Sequence, residues 1–284
     1  MKRVQWVTLG VTFFIAIALY ASTKHTLFGE KKAKSSPAPI ASNQSSLGTD
    51  SILYYSKQFL SKEKAERLNT LENSITRGDV IDQKLHIFHQ LAKFWKDSAR
   101  IFAPFAYYTA EAARLENSEK SLTFAAHLFL NNLVNEEDQR LKQWEALQAK
   151  ELFERSLKLN PGNDSSKVGL GAATLYGGLA NPMEGIQLIR EVVEKDSTNV
   201  FAHMTLGRAS LMSGQIDKAI ERFSTTVRLQ PDNVEAVLML ADIYEKRHDH
   251  DAAIYWYQKS ITLVPNQEFK KEVEKRISEI KTKH

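Results

Sequence analysis

Two consecutive stretches of this chain repeat one another at an offset of 34 residues. Residues 202–231 read AHMTLGRASLMSGQIDKAIERFSTTVRLQP, and residues 236–265 read AVLMLADIYEKRHDHDAAIYWYQKSITLVP. Small residues recur where two helices must approach closely, bulky ones where they interlock, and a proline ends each unit. Since one such unit cannot bury its apolar face alone, the period predicts helical hairpins that stack on one another. The aligned pairs are Leu206 with Leu240, Gly207 with Ala241, Ala219 with Ala253, Phe223 with Tyr257 and Pro231 with Pro265.

This pattern resembles the tetratricopeptide repeat, a helix–turn–helix unit that stacks into an α-solenoid. The match is specific, because residue type and spacing agree together at five positions. The resemblance implies an all-α fold that binds other proteins and rarely does chemistry. It does not identify the partner.

The same signature extends towards the N-terminus with insertions. Leu170 and Gly171 repeat the Leu-Gly pair, and Gly185, Ile189 and Val192 fill the small-and-bulky stripe of the following helix. Earlier units are more degenerate, and residues 136–159 read as one long helix. We therefore predict about five repeats over residues 82–265, with the clearest signal over residues 163–265.

The segments on either side predict a capped array. After Pro265, four apolar residues recur at helical spacing among Lys and Glu, which indicates an amphipathic helix over the last stacking face. No stretch shows the alternation of a strand, so we predict an all-α fold. The apolar residues of the cap are Phe269, Val273, Ile277 and Ile280. The predicted segments are a signal anchor over 1–24, a disordered Ser/Pro/Ala linker over 25–50, N-terminal helices over 51–81, the array over 82–265 and the cap over 266–284.

An uncharged apolar run covers residues 4–23, after Lys2 and Arg3 and before Lys24. Twenty helical residues span about 30 Å, the thickness of a bilayer core. One interpretation is an uncleaved transmembrane anchor that holds the chain in the lipid bilayer and leaves the folded domain on the periplasmic side. The other is a signal peptide, which would leave a secreted or periplasmic protein after cleavage at Ala16-Ile17-Ala18. We favour the anchor, because the apolar run continues past that cleavage site.

The distribution of charge along the chain bears on whether it binds nucleic acid. The chain has 38 Lys and Arg against 34 Asp and Glu, a formal net charge of +4. Residues 1–50 hold six basic and two acidic side chains, which account for the whole excess, so the remaining chain is neutral. Nucleic-acid binding requires a broad basic surface. We therefore predict that the chain does not bind nucleic acid.

In arrays of this family, the first helix of each unit lines a concave groove. The family spacing assigns to that groove a basic end, an apolar middle and an acidic end. The candidate partner-binding residues are His86, His89, Lys93 and Lys96, then Phe129, then Phe201, Met204, Arg208 and Leu211, and finally Leu238, Asp242 and Glu245. The same register also assigns Leu122, Ala125, Asn132, Ser165, Val168, Ala172, Leu175 and Glu235 to the groove. The alternative is that the apolar members pack on neighbouring helices as core.

Catalytic and metal constellations are weak. His86 and His89 share one helix face, but no third strong ligand is evident. The His-Asp-His-Asp run at residues 248–251 falls at the turn between the helices of the last repeat and is explained by a solvated turn with Asp as helix cap. The glycines between residues 169 and 178 follow no strand and precede no Lys-Ser/Thr, so they do not form a phosphate-binding loop. We predict no metal, no cofactor and no enzymatic activity.

Two hypotheses for function follow. The first is a membrane-tethered adaptor that binds a peptide or helix of a partner protein in the groove, in the assembly of a cell-envelope complex. The second is a self-associating structural protein that uses the same faces to form homo-oligomers.

Overall fold

The computed structural model describes residues 47–75, 80–179 and 182–282. Within these ranges the chain forms helices and no strands, which confirms the predicted all-α solenoid. No helix of the described residues is long and apolar enough to cross a membrane. The predicted anchor at 4–23 and the predicted linker up to residue 46 lie outside the described residues.

Thirteen α-helices occur in the described part of the chain, with a short π-helical turn at Phe94–Ala99 between the third and the fourth. They are α1 (Thr49–Lys57), α2 (Lys62–Ile75), α3 (Ile81–Lys93), α4 (Phe102–Glu116), α5 (Glu119–Leu133), α6 (Gln139–Leu159), α7 (Asp164–Gly177), α8 (Pro182–Lys195), α9 (Val200–Met212), α10 (Ile216–Leu229), α11 (Val234–Lys246), α12 (His250–Leu263) and α13 (Gln267–Thr282).

The helices pack as consecutive pairs. The pairs are α3 with α4, α5 with α6, α7 with α8, α9 with α10, and α11 with α12, and each pair packs against the next. The first helices of neighbouring pairs also touch directly, α5 against α7 and α7 against α9. This arrangement buries the apolar side of each pair against its neighbours, as a solenoid requires.

Asparagine side chains begin three of the first helices in the same way. Asn163, Asn199 and Asn233 each accept a hydrogen bond from the backbone N–H three residues later, at 2.9 Å in all three cases. An N-cap of this kind satisfies one of the amide groups that the first turn of a helix leaves without a partner. The recurring cap therefore sets where α7, α9 and α11 start.

The small residues of the repeat mark close helix contacts. A Cβ atom on Gly207 would lie 2.7 Å from the ring of Phe223, and one on Gly171 would lie 2.5 Å from the backbone oxygen of Gly185. Both distances are shorter than real Cβ contacts, so only glycine permits these crossings. The aligned residues Leu206, Leu240, Ala219, Ala253, Phe223 and Tyr257 are all buried.

Three hydroxyl groups join α5, α6 and α7 below the surface. Thr123, Ser156 and Ser166 form a triangle with oxygen–oxygen distances of 2.8, 3.0 and 2.9 Å. Each hydroxyl can donate one hydrogen bond and accept another, so the triangle satisfies polar groups that would otherwise be buried at a cost. It fixes how α7 packs on the α5–α6 pair.

Helices α1 and α13 lie at the two ends of the described fold. In α13, Phe269, Val273, Ile277 and Ile280 are all buried. At the other end, Ile52 of α1 packs into the core that α4, α5 and α6 share, and Trp144 Nε1 donates to Thr49 Oγ1 at 3.0 Å. Helix α1 thus begins at Thr49, inside the segment assigned to the linker by composition, because these contacts anchor it.

Candidate partner-binding face

Helix α5 has three exposed residues, Lys120, Phe124 and Asn131, and the half-buried His127 lies on the same side. These residues are spaced by three or four positions and therefore share one helix face. Phe124 is 59% exposed, which is unusual for a phenylalanine inside an array. We call these four residues the α5 stripe.

The prediction that Leu122, Ala125 and Phe129 of α5 face the groove is wrong. Leu122, Ala125 and Phe129 are fully buried, and Phe129 packs edge-on against Trp144 of α6 with ring centroids 5.4 Å apart. The same family spacing also selects the buried residues Val168 and Met204 in later pairs, so it does not fix which side of a first helix is open.

The α5 stripe continues across α7 to α9 through His127. The imidazole Nε2 lies 2.9 Å from Ser165 Oγ on α7, and the ring centroid lies 5.5 Å from that of Phe201 on α9. Its other side meets Phe153 edge-on at 5.1 Å. Burial lowers the pKa of His127, so the ring is neutral near pH 7. Of the predicted groove residues, the structure brings Ser165 and Phe201 to this point.

A buried carboxyl lies behind the α5 stripe. Asn132, predicted to face the groove, donates instead to Glu145 Oε1 of α6 at 2.8 Å. Glu145 is fully buried, and its Oε2 accepts no hydrogen bond from the described residues. Burial raises the pKa of Glu145 to about 8.

The middle of the predicted groove is partly core. Met204 is only 6% exposed and belongs to the core of the last two pairs, and Val168 and Ala172 of α7 are buried as well. Leu211 and Leu238 are half-buried. Side chains of α7 and α9 are small or tightly packed here, because these two helices touch directly.

Arg208 of α9 forms an ion pair with Glu235 of α11, and both side chains are partly buried. Burial opposes the charge of Arg208, but Glu235 and the hydroxyl of Tyr176 more than offset this and raise its pKa. Tyr176 of α7 donates to the carbonyl oxygen of Thr205 at 3.4 Å. These contacts tie three consecutive first helices together.

The acids at the predicted acidic end of the groove have partners within the protein. The Tyr257 hydroxyl lies 2.6 Å from Asp242 Oδ1 and 2.9 Å from Glu245 Oε2. Arg276 of α13 forms an ion pair with Glu245 and a second one with Glu279 at 3.1 Å. Burial raises the pKa of Asp242 despite the hydrogen bond from Tyr257. The acids therefore have internal partners and do not present an open anionic surface.

The predicted basic end lies on α3 and the π-helical turn, and all four of its residues are exposed. His86 Nε2 lies 2.9 Å from Gln90 Nε2, and His89 Nε2 lies 3.3 Å from Glu116 Oε1. The ammonium group of Lys96 sits over the ring of Phe105, 5.5 Å from its centroid. In the described part of the chain, no three His, Asp or Glu residues are grouped to hold a metal ion.

Sequence reasoning missed Phe124, His127 and Lys120 as surface residues. Leu122, Phe124 and Phe129 are equally apolar in sequence, so composition does not say which of them face outwards. A signal was present in the run Leu122, Ala125, Ala126, Phe129, Leu130 and Leu133, whose spacing of three and four marks the buried side of α5.

Residues 204–268 match the family model described as tetratricopeptide repeat, which confirms the predicted family. No curated protein matches the chain. Among solved structures, it is similar to MamA 41-end from Desulfovibrio magneticus RS-1, with 21% identity, coverage of 66% of this chain and 96% of the other, and a TM-score of 0.44. PilF of Pseudomonas aeruginosa is 16% identical, with coverage of 70% of this chain and 90% of the other, and a TM-score of 0.47. YrrB, a TPR protein with an unusual peptide-binding site, is 15% identical, with coverage of 72% of this chain and 97% of the other, and a TM-score of 0.41.

Proposed function

Because residues 204–268 belong to the tetratricopeptide-repeat family, we propose that this chain is a protein-interaction scaffold. It holds a peptide or a helix of a partner protein on the side of the array formed by the first helices of its pairs. The observation that carries this proposal is the exposed ring of Phe124 in the α5 stripe, one helical turn from His127, whose ring lies 5.5 Å from that of Phe201. Burial of an aromatic ring is a large source of binding energy, and aromatic residues are enriched at the centre of interfaces.

The proposal includes a location. The apolar run at residues 4–23 has the length and the flanking charges of a membrane anchor, and residues 24–46 would connect it to α1. The scaffold would then hold its partner close to a bilayer, in the assembly of a cell-envelope complex. Support for this part comes from the sequence alone.

Crosslinking in cells, followed by purification of the chain and identification of the attached proteins, tests the function. The wild type is compared with Phe124→Lys, which places a charge on the proposed face. The matched control is Tyr255→Lys on α12, the second helix of its pair, because Tyr255 is 57% exposed and so similar to Phe124. Circular dichroism establishes that both variants fold.

We expect specific proteins to be captured by the wild type and by the Tyr255 variant, and to be lost from the Phe124 variant. Capture of the same proteins by all three would place binding elsewhere on the chain. If the wild type captures only further copies of itself, the protein is the self-associating structural protein that the sequence allowed as an alternative.

A further inference from the structure

We propose that the first helix of the described fold contacts the surface of a lipid bilayer through three exposed aromatic rings. The rings belong to Tyr54 and Tyr55 of α1 and to Phe59 in the turn that follows, and we call them the α1 aromatic face. They enter the layer where lipid headgroups meet acyl chains. This inference rests on the proposed location beside a membrane and adds a second contact, made by the folded domain itself.

The α1 aromatic face lies on a helix whose other side is docked. Ile52 and Ser56, one helical turn apart, are both buried, and α1 packs on α4. At about 100° per residue, Tyr54 points directly away from that buried side, and Tyr55 lies one step further round the helix. The packing therefore holds the two phenol rings at the surface of the fold, where they can meet a flat partner.

The three rings have little contact with the protein. Tyr54 is 62% exposed, Tyr55 is 61% exposed and Phe59 is 81% exposed. The two phenol rings meet edge-on with centroids 5.7 Å apart. Neither phenol hydroxyl has a hydrogen-bond partner among the described residues. Exposed apolar groups that lie together mark an interaction site, because water leaves their surface when a partner covers it.

The position of α1 along the chain favours a bilayer as that partner. Residues 24–48 separate the uncharged apolar run at 4–23 from α1, which begins at Thr49. A segment of this length spans at most about 90 Å when fully extended. A bilayer that holds the apolar run is therefore always within reach of α1. The covalent link makes the second contact intramolecular, so a few aromatic side chains suffice for it.

The chemistry of the rings fits the same partner. Tyrosine is enriched where membranes meet water, because its ring enters the apolar layer while its hydroxyl stays among the headgroups. Phe59 adds a ring that needs no polar partner. Charge contributes little here, since Lys57 is paired with Glu72 at 2.7 Å and Asp50 at the start of α1 is an exposed acid. The contact should therefore depend only weakly on salt.

A single fluorescent label on the full-length protein tests the proposal. The chain has no cysteine, so one introduced thiol can be labelled selectively. Ser51→Cys places an environment-sensitive fluorophore on the exposed side of α1, and Glu194→Cys places it on an exposed position of α8 as the matched control. The purified protein is reconstituted into phosphatidylcholine vesicles with and without spin-labelled lipid, which quenches a fluorophore that lies in the bilayer.

The label at residue 51 should be quenched by the spin-labelled lipid and should emit at shorter wavelength, at low and at high salt alike. Replacing the three rings of the α1 aromatic face together by serine should abolish both effects. The label at residue 194 should show neither effect in any variant. The replaced side chains are exposed, so the core stays intact, and circular dichroism establishes that each variant folds.

Two results would overturn this inference while the protein remains bound to the vesicles. One is a label at residue 51 that is not quenched, and the other is quenching that persists after the three rings are replaced. A blue shift without quenching that grows with protein density would assign the face to a second copy of the chain. These results leave the scaffold function standing, because crosslinking with the Phe124 variant tests it separately. A full-length chain that does not stay with the vesicles would overturn the membrane location together with this contact.

Discussion

Glu145 has an environment very different from that of a free carboxyl group. Its carboxyl group is fully buried, and one oxygen accepts no hydrogen bond from the described residues. Burying a charge without full compensation is costly, so the folded protein keeps this group protonated to higher pH than the unfolded chain does. The contribution of Glu145 to the free energy of unfolding therefore depends on pH.

We predict that Glu145→Gln becomes more favourable relative to the wild type as the pH rises. The unfolded chain releases this proton near pH 4.5 and the folded protein near pH 8, so the wild type loses stability between these values. The slope is about 1.4 kcal/mol per pH unit, and the glutamine variant lacks it. Urea denaturation at pH 5 and pH 8 measures the difference. Equal differences at both pH values would contradict the prediction, and Glu194→Gln, at an exposed position, serves as the control.

The ion pair between Arg208 and Glu235 connects α9 to α11 across the repeat boundary. We predict that Arg208→Met destabilises the protein by about 1 to 3 kcal/mol, because it leaves a partly buried carboxylate without its partner. The double variant with Glu235→Gln should recover part of this loss. A double-mutant cycle in urea provides the coupling energy, which should exceed about 0.5 kcal/mol. Additive single effects would show that the pair does not couple the two helices.

Gly171 shows how one missing Cβ determines a helix crossing. We predict that Gly171→Ala destabilises the protein by about 1 to 3 kcal/mol, although alanine favours helices, because its Cβ would meet the backbone oxygen of Gly185. Thermal and urea unfolding measure the change. The control is Gly48→Ala, where nothing lies within 4 Å of the added atom. A variant as stable as the wild type would mean that α7 and α8 can separate without cost.

At the scale of elements, the helices of the clear repeats could be predicted because their signals are local. Leu206, Leu240 and the four apolar residues of α13 follow the helical period, and the structure buries all of them. The open face of α5 was missed because a family spacing was applied in place of the helix's own pattern. Leu122, Ala126 and Phe129 recur at helical spacing and mark its buried side, so the opposite side could have been predicted.

The cap α13 has an effect that can be measured on its own. We predict that Ile277→Asp destabilises the last pair more than the first, by about 2 to 4 kcal/mol, because it places a charge among side chains that are buried against the array. Hydrogen exchange should show faster exchange in α11 and α12 and little change in α4. The control is Lys275→Asp, an exposed residue of the same helix. Uniform loss of protection along the array would contradict nearest-neighbour packing.

At the scale of the whole molecule, the prediction that agrees least with the structure is the charge gradient along the groove, from a basic end to an acidic end. The sequence predicts that Asp242 and Glu245 form an acidic end of the groove. In the structure Tyr257 of α12 donates hydrogen bonds to both, and Arg276 of α13, 31 residues from Glu245, forms an ion pair with Glu245. Pairs of this kind depend on how helices stack and leave no local pattern. The fold class was predictable because a period of 34 residues repeats the same local packing along the chain.

The hydrogen bond from Trp144 to Thr49 also has a consequence for the time course of synthesis. Its two residues are 95 positions apart, whereas most contacts in a solenoid join neighbouring pairs. A ribosome that adds about 5 to 20 residues per second takes roughly 5 to 20 seconds to make that stretch. During that interval α1 can pack on α4, but it lacks its hydrogen bond to α6. The first helix of the described residues therefore completes its contacts only after later helices are made, and until then this part of it is open to other molecules in the cell.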